Sequence, residues 1–325
     1  MIDLLRRHPA LPGGVLLALV FATAPAFAER GTLNDLWNIA YFVVLASAWN
    51  LLGGFAGQVS LGYSAFVGIG AYTTVLLSLA GWPPALTLPV GAALAVAFSV
   101  VVGLPTFRLR GPYFTIATIG VGEAVRVIAS GLSFTGGASG LRMPPATFDF
   151  GGNYAAMVAL MLVTLGLVAW LRQHAFGLAL EAIRQDIDGA EALGVHSTQV
   201  KLQAHAISAA LVAVAGGLFA INFQYINPGQ VFDFRLSLTI VLMAIVGGVG
   251  TLVGPVLGGV LFGYLQIKLL ASPALRDSNY FIYGGLLIVV MLFEPRGIVG
   301  LWERLVGMRP GRRTRAPVPE ARGAS

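Results

Sequence analysis

Long apolar runs recur along this chain and constrain it more than any other feature. Stretches of about 18 to 25 residues, each near the length a helix needs to cross roughly 30 Å of hydrocarbon, occur at 10–28, 33–52, 60–80, 85–107, 111–130, 153–171, 202–221, 236–254, 255–272 and 279–293. Gly, Pro and charged residues separate them, and the division near Pro255 is the least marked. The chain has 325 residues, 57% hydrophobic and 10% charged, whereas soluble domains carry about 25% charged residues. Its solvent must be lipid. Lipid admits only helices and closed barrels, because backbone groups must be satisfied internally. Continuous runs dominated by Ala and Leu, without strand alternation, select helices. The sequence therefore predicts an all-α polytopic membrane protein with about ten spanning helices. Its 42 glycines let helices approach closely, and the Gly-rich stretches predict broken or re-entrant segments.

Basic residues set the expected orientation. With residue 1 inside and ten alternating spans, the inner segments are 1–9, 53–59, 108–110, 172–201 and 294–325. They hold fourteen of the twenty Lys and Arg, among them Arg108, Arg110, Arg172, Arg184 and Lys201. This bias places both termini on the cytoplasmic side of the membrane. Arg6 and Arg7 precede the run Leu11–Val20, and Ala24–Ala28 has the small residues of a signal-peptidase site. We read the segment as a retained first helix, because further spans follow at once. Residues 1–293 make one membrane domain, with an inner loop at 172–201. Residues 294–325 make a basic tail whose last fifteen or so residues are expected to be disordered. The tail reads as a topology anchor; an Arg cluster beside a membrane can also bind anionic lipid. No folded basic domain points to nucleic acid.

Several chemistries are absent from the sequence. There is no cysteine, no G-x-x-x-x-G-K-[ST] phosphate loop, no H-E-x-x-H and no G-x-S-x-G. The histidines His8, His174, His196 and His205 are scattered. An enzyme active site, a metal centre and an ATP site within this chain are not expected.

The loop 176–194 differs from everything around it. Glu181, Arg184, Asp186, Asp188 and Glu191 alternate with Leu180, Ile183, Ile187, Ala190 and Leu193. Apolar residues three or four apart predict one greasy stripe on a short amphipathic helix, which Gly194 is placed to end. Such a helix can dock a cytoplasmic partner or simply rest on the membrane surface. Periodicity alone leaves both open.

Here the sequence resembles the LivM-type permeases of branched-chain amino acid ABC importers. The loop Glu181–Gly194, with Ala182 in its E-A-A-like start, looks like the coupling loop of such permeases, although Ile183 replaces the second Ala. Asn50–Gly62 with Gly68–Tyr72, Arg110–Thr118 and Phe293–Ile298 also match, in family order, over roughly residues 33–305. The resemblance implies a second permease of different sequence, two cytoplasmic ATPase subunits that bind the ATP, and a periplasmic substrate-binding protein. It implies that Glu181, Ala182, Arg184, Asp186, Glu191 and Gly194 couple to the ATPases. The substrate class it implies is branched-chain amino acids or relatives. A stand-alone secondary transporter or channel is the alternative, and the scarcity of Asp and Glu within the spans speaks against it.

Pore candidates follow from polarity at membrane depth. Gly57, Gln58, Ser60 and Gly62 lie in a stretch too rich in Gly for an ordinary helix. A break there can expose backbone groups to substrate or serve close packing. Glu123 and Arg126 share a helix face. They either border the path of a zwitterion or form an internal ion pair.

Overall fold

The computed structural model describes residues 23–144, 149–271 and 297–305, together with residues 21, 281, 282, 284, 285, 288 and 292. The expected spans 10–28 and 279–293 and the end of the basic tail lie wholly or mostly outside these residues.

The described chain is helical almost throughout. In order it forms α1 (Arg30–Asn50), α2 (Tyr63–Leu79), α3 (Pro84–Thr106), α4 (Pro112–Gly131), α5 (Phe150–Gln173), α6 (Ala175–Gln185), α7 (Ile187–Ala192), α8 (Ser197–Phe223), α9 (Pro228–Val231), α10 (Phe234–Gly247), α11 (Gly254–Ala271) and α12 (Gly297–Leu305). A two-residue ladder departs from the all-α expectation: Leu141–Arg142 (β1) pairs antiparallel with Tyr225–Ile226 (β2). Six segments are long and apolar enough to cross a membrane: Arg30–Phe55, Pro84–Thr106, Pro112–Gly131, Phe150–Gln173, Ser197–Phe223 and Pro228–Gly247. Tyr63–Leu79 is apolar but shorter. Ten spans are thus not established among the described residues. Two of the expected runs are shortened by glycine. The run 60–80 loses its first residues to a non-helical stretch, and the run 236–254 stops at Gly247, where Gly248 and Gly250 take positive φ.

α8 is the organising helix and packs chiefly on α2 and α3, and also on α1 and α5. The α2–α8 crossing depends on small residues. A Cβ on Gly70 would lie 1.9 Å from the Ala213 carbonyl oxygen, and one on Gly216 would lie 2.1 Å from that of Val67. Lipid supplies no hydrophobic drive between helices, so such close approach is what holds them. α1 and α8 are central, whereas α3 and α4 lie at the periphery.

The interhelical loops sort into two sides. On one, the α3–α4 turn and α7 are joined by Arg110 and Asp188. On the other, the loops after α4 and α8 pair through β1 and β2. The connection between α8 and α10 is packed: Pro228, Val231 and Phe232 are buried. The Phe232 ring stacks on Tyr72 at 5.6 Å and rests where Gly68 leaves room.

Candidate functional site

The site is a pair of helix breaks on the Arg110 side, with the α6–α7 loop beneath them. The first break begins as α1 ends. Residues Leu51–Phe55 widen into a π turn, a feature that recurs at functional positions. The chain then runs without helix from 56 to 62 and climbs along α4. Side chains from α4 and α1 satisfy its backbone. Thr115 Oγ1 donates to the Val59 carbonyl at 2.8 Å, Leu61 N–H donates to Thr118 Oγ1 at 3.0 Å, and Trp49 Nε1 donates to the Ser60 carbonyl at 2.8 Å. Gly122 lies close under Gly62. The first turn of α2 is capped from another helix, because Ser64 N–H donates to Ser237 Oγ of α10 at 2.8 Å. Irregular backbone at membrane depth is tolerable only with such partners.

Exposure alternates along this non-helical stretch. Gln58 and Ser60 are buried at 7% and 1%, while Gly57 and Val59 are exposed. Of the four residues singled out here from sequence, Gln58 and Ser60 therefore point into the chain. Gly62 is buried, and a Cβ there would lie 2.7 Å from the Thr118 carbonyl oxygen, so it serves the close approach to α4. Val59 and Thr115 belong to the same face and were missed. Thr115, Thr118 and Gly122 fall on one face of α4, which is the signal that marks them.

The second break, residues 248–253 between α10 and α11, meets the first. Asn50 Nδ2 donates to the Thr251 carbonyl at 2.8 Å, and Gly250 N–H donates to Asn50 Oδ1 at 2.9 Å. Gly297, at φ 72°, abuts Val246 and Gly248 and brings α12 to the same place.

Below the breaks, the amphipathic loop forms two helices rather than one. Asp186 interrupts it with extended φ/ψ of −156° and 115°, and its carboxylate accepts from the Asp188 N–H at 3.1 Å as the N-cap of α7. Leu180, Ile183 and Ala190 are buried as the stripe predicts, but Leu193 is 86% exposed, a correction to the single-stripe expectation. The cause lies in the cap: Gly194, at φ 87°, donates to the Glu191 carbonyl, and Val195 N–H donates to that of Ala190. This Schellman turn closes α7 early and swings Leu193 outward.

The charged residues of the loop are committed to different partners. Arg110 clasps Asp188 with two bonds of 2.8 and 3.1 Å. That hydrogen bonding, and then the guanidinium charge, holds the Asp188 carboxyl below the usual carboxylate range. Glu191 accepts from Ser197 Oγ, tying α7 to the start of α8. Arg184 turns toward the breaks and donates to the Gly54 carbonyl at 2.7 Å. Glu181 is exposed and Ala182 half-buried.

Glu123 and Arg126 pair with each other through two bonds from Nε, of 3.0 and 2.9 Å, and a third from Nη2. Their side chains are 46% and 36% exposed on the outer face of α4. Among the described residues no group of His, Cys, Asp and Glu can hold a metal ion.

A family model described as "branched-chain amino acid transport system / permease component" matches residues 31–291. The LivM permease protein of the high-affinity branched-chain amino acid transport system of Escherichia coli is 28% identical, over 93% of this chain and 80% of that one. The LivH permease protein of the same organism is 25% identical, over 80% of this chain and 91% of that one. The LsrC permease protein of an Escherichia coli autoinducer 2 import system is 23% identical, over 100% and 98%. No solved structure matches. With the family model spanning the helix breaks, the loop helices and every crossing described above, this chain belongs to the family of branched-chain amino acid transport system permease components.

Proposed function

We propose that this chain is a membrane-spanning permease subunit of an ABC importer and forms half of the path for branched-chain amino acids or related small solutes. ATP is hydrolysed on separate subunits. The observation that carries the proposal is the two-sided α6–α7 pair. Gly177, Leu180, Ile183 and Ala190 are buried, whereas Leu178, Glu181, Glu191 and Leu193 are exposed. One face is thus fastened to the membrane domain, and the other offers apolar and acidic groups to a partner on the same side. That side is the cytoplasmic one by the excess of Lys and Arg. Two ATPases would dock there, a periplasmic binding protein would meet the β1–β2 side, and ten spans with both termini inside complete the arrangement.

The half-path assignment rests on α4. Glu123 and Arg126 are exposed in the single chain, on a helix apolar enough to span. Ionised groups facing acyl chains are strongly disfavoured, so this face meets a second permease or water. The relatives include the two permease proteins LivM and LivH, which supports a partner permease of different sequence. The relatives include permease proteins of a branched-chain amino acid transport system and of an autoinducer 2 import system, so the substrate is set by details of the path and by the binding protein.

The test is purification of the tagged chain from its native membrane in mild detergent, with partners identified by mass spectrometry. Recovery of a second permease and two ATPases is expected. Recovery of the chain alone, under conditions that preserve other ABC complexes, overturns the proposal in favour of a stand-alone transporter or channel.

A further inference from the structure

Arg184 occupies a position that the amphipathic pattern of its loop does not anticipate. As part of the charged face it should project toward a cytoplasmic partner. The residue is exposed, yet its Nη1 donates to the Gly54 carbonyl at 2.7 Å, inside the π turn that ends α1. Two glycines shape its seat, and a third makes room for the Asn50 side chain beside it. A Cβ on Gly57 would meet Arg184 Cγ at 3.2 Å, so the stem of the side chain lies along Gly57. A Cβ on Gly250 would sit 2.0 Å from Nη1, so the head lies against the backbone of the second break. Gly54 has no Cβ where the Asn50 side chain must pass. Gly250 N–H is in turn held by Asn50 Oδ1. One guanidinium therefore touches both helix breaks at once, and it stands on the helix whose buried stripe fastens the loop to the membrane domain.

Resting on the importer reading above, we infer that Arg184 is the mechanical link by which movement of α6 is delivered to the two helix breaks. The chemistry suits the task. A charge-assisted bond to a carbonyl is about twice as strong as a neutral one, and the guanidinium fork is rigid and keeps its charge. The segments it joins are a π turn and a non-helical turn, so neither is held by a regular α-helical hydrogen-bond ladder. Arg184 is a positioning residue: it touches neither nucleotide nor solute. Displacement of α6 by a docked partner would draw on Gly54 and Gly250 together, and so act on the end of α1 and on the α10–α11 turn in one step.

The experiment uses the intact complex purified through a tag on this chain and reconstituted in proteoliposomes. Leucine uptake and ATP hydrolysis are measured in the same vesicles. Arg184→Gln is expected to retain the partner subunits and hydrolyse ATP, while uptake per ATP falls by about five- to a hundredfold, the usual range of coupling between sites. Arg184→Lys keeps a cationic donor for Gly54 and is expected to recover part of that loss. Gly250→Ala leaves Arg184 in the sequence but fills its seat, and is expected to resemble Arg184→Gln. Unchanged uptake per ATP in Arg184→Gln overturns the inference. Loss of the ATPases from Arg184→Gln overturns it as well, because Arg184 would then belong to the docking surface. Failure to recover folded protein from all three variants does the same and makes Arg184 a residue of the fold. If the unaltered chain brings down no ATPase, the importer reading fails instead.

Discussion

Asn50 is 1% exposed, and both ends of its amide are spent on one remote loop. Replacing it with Ala leaves the Gly250 N–H and the Thr251 carbonyl without their partner. Unsatisfied buried groups cost about 1–3 kcal/mol each, so Asn50→Ala should lower the midpoint of heat-induced aggregation in mild detergent. Asn50→Asp should not restore it, since a carboxylate can accept from Gly250 but cannot donate to Thr251. Equal stability of the Asn and Asp proteins would show that the Thr251 bond carries nothing. At this scale the sequence was partly legible. Gly57 and Gly62 announced a break because no ordinary helix holds so many glycines. The partners that satisfy this break come from α1 (Trp49) and from α4 and α10 (Thr115, Thr118 and Ser237), and no local pattern names them. Gln58 and Ser60 stood out as polar residues in an apolar run, yet both are buried in the non-helical stretch while Val59 is exposed.

The elements show where periodicity succeeds and where a single residue overrides it. The stripe at Leu180, Ile183 and Ala190 is buried as its spacing requires. The division of the loop into α6 and α7 comes from Asp186, whose carboxylate competes for the Asp188 N–H and caps a new helix. Asp186→Ala should loosen α7 by about 1 kcal/mol, seen as faster amide exchange at Ala190 and Ala192 with no change in α8. Exchange rates equal to those of the parent would mean that the buried stripe alone holds α7. The Arg110–Asp188 clasp has a defined pH window. The folded carboxyl is held down, so its stabilisation is complete above the ordinary carboxylate range and is lost as pH falls through the lower folded value. Uptake and assembly should therefore show no step from this pair between about pH 5 and pH 8. A step in that window that disappears in Asp188→Asn would contradict the assignment. The helix crossings were legible only as an abundance of glycine. Which glycines matter is a property of the packed bundle: Gly216→Val should abolish folded protein, because its Cβ would enter the Val67 carbonyl. A monodisperse Gly216→Val protein on size-exclusion chromatography would show that α2 and α8 can separate.

Across the whole molecule, the feature that asks for a partner is the outer face of α4, where Tyr113, Ile116, Val127 and Ile128 are exposed beside Glu123 and Arg126. The chain has no cysteine, so single cysteines can be placed without background. At Ile116 and Val127, cysteines should be shielded from a lipid-soluble reagent in the assembled complex and open to it in the isolated chain; equal labelling in both would remove the interface from α4. If separate ATPases drive this permease through α6 and α7, as proposed, Leu193 lies where they would dock. It is apolar, 86% exposed and stands at the end of α7. The measurement is cross-linking from Leu193→Cys in native membranes, with the captured subunit identified by mass spectrometry. An ATPase subunit is the expected major product. Capture of lipid alone, in membranes where the second permease and the ATPases are present, would place α6 and α7 on the membrane surface and contradict the proposal.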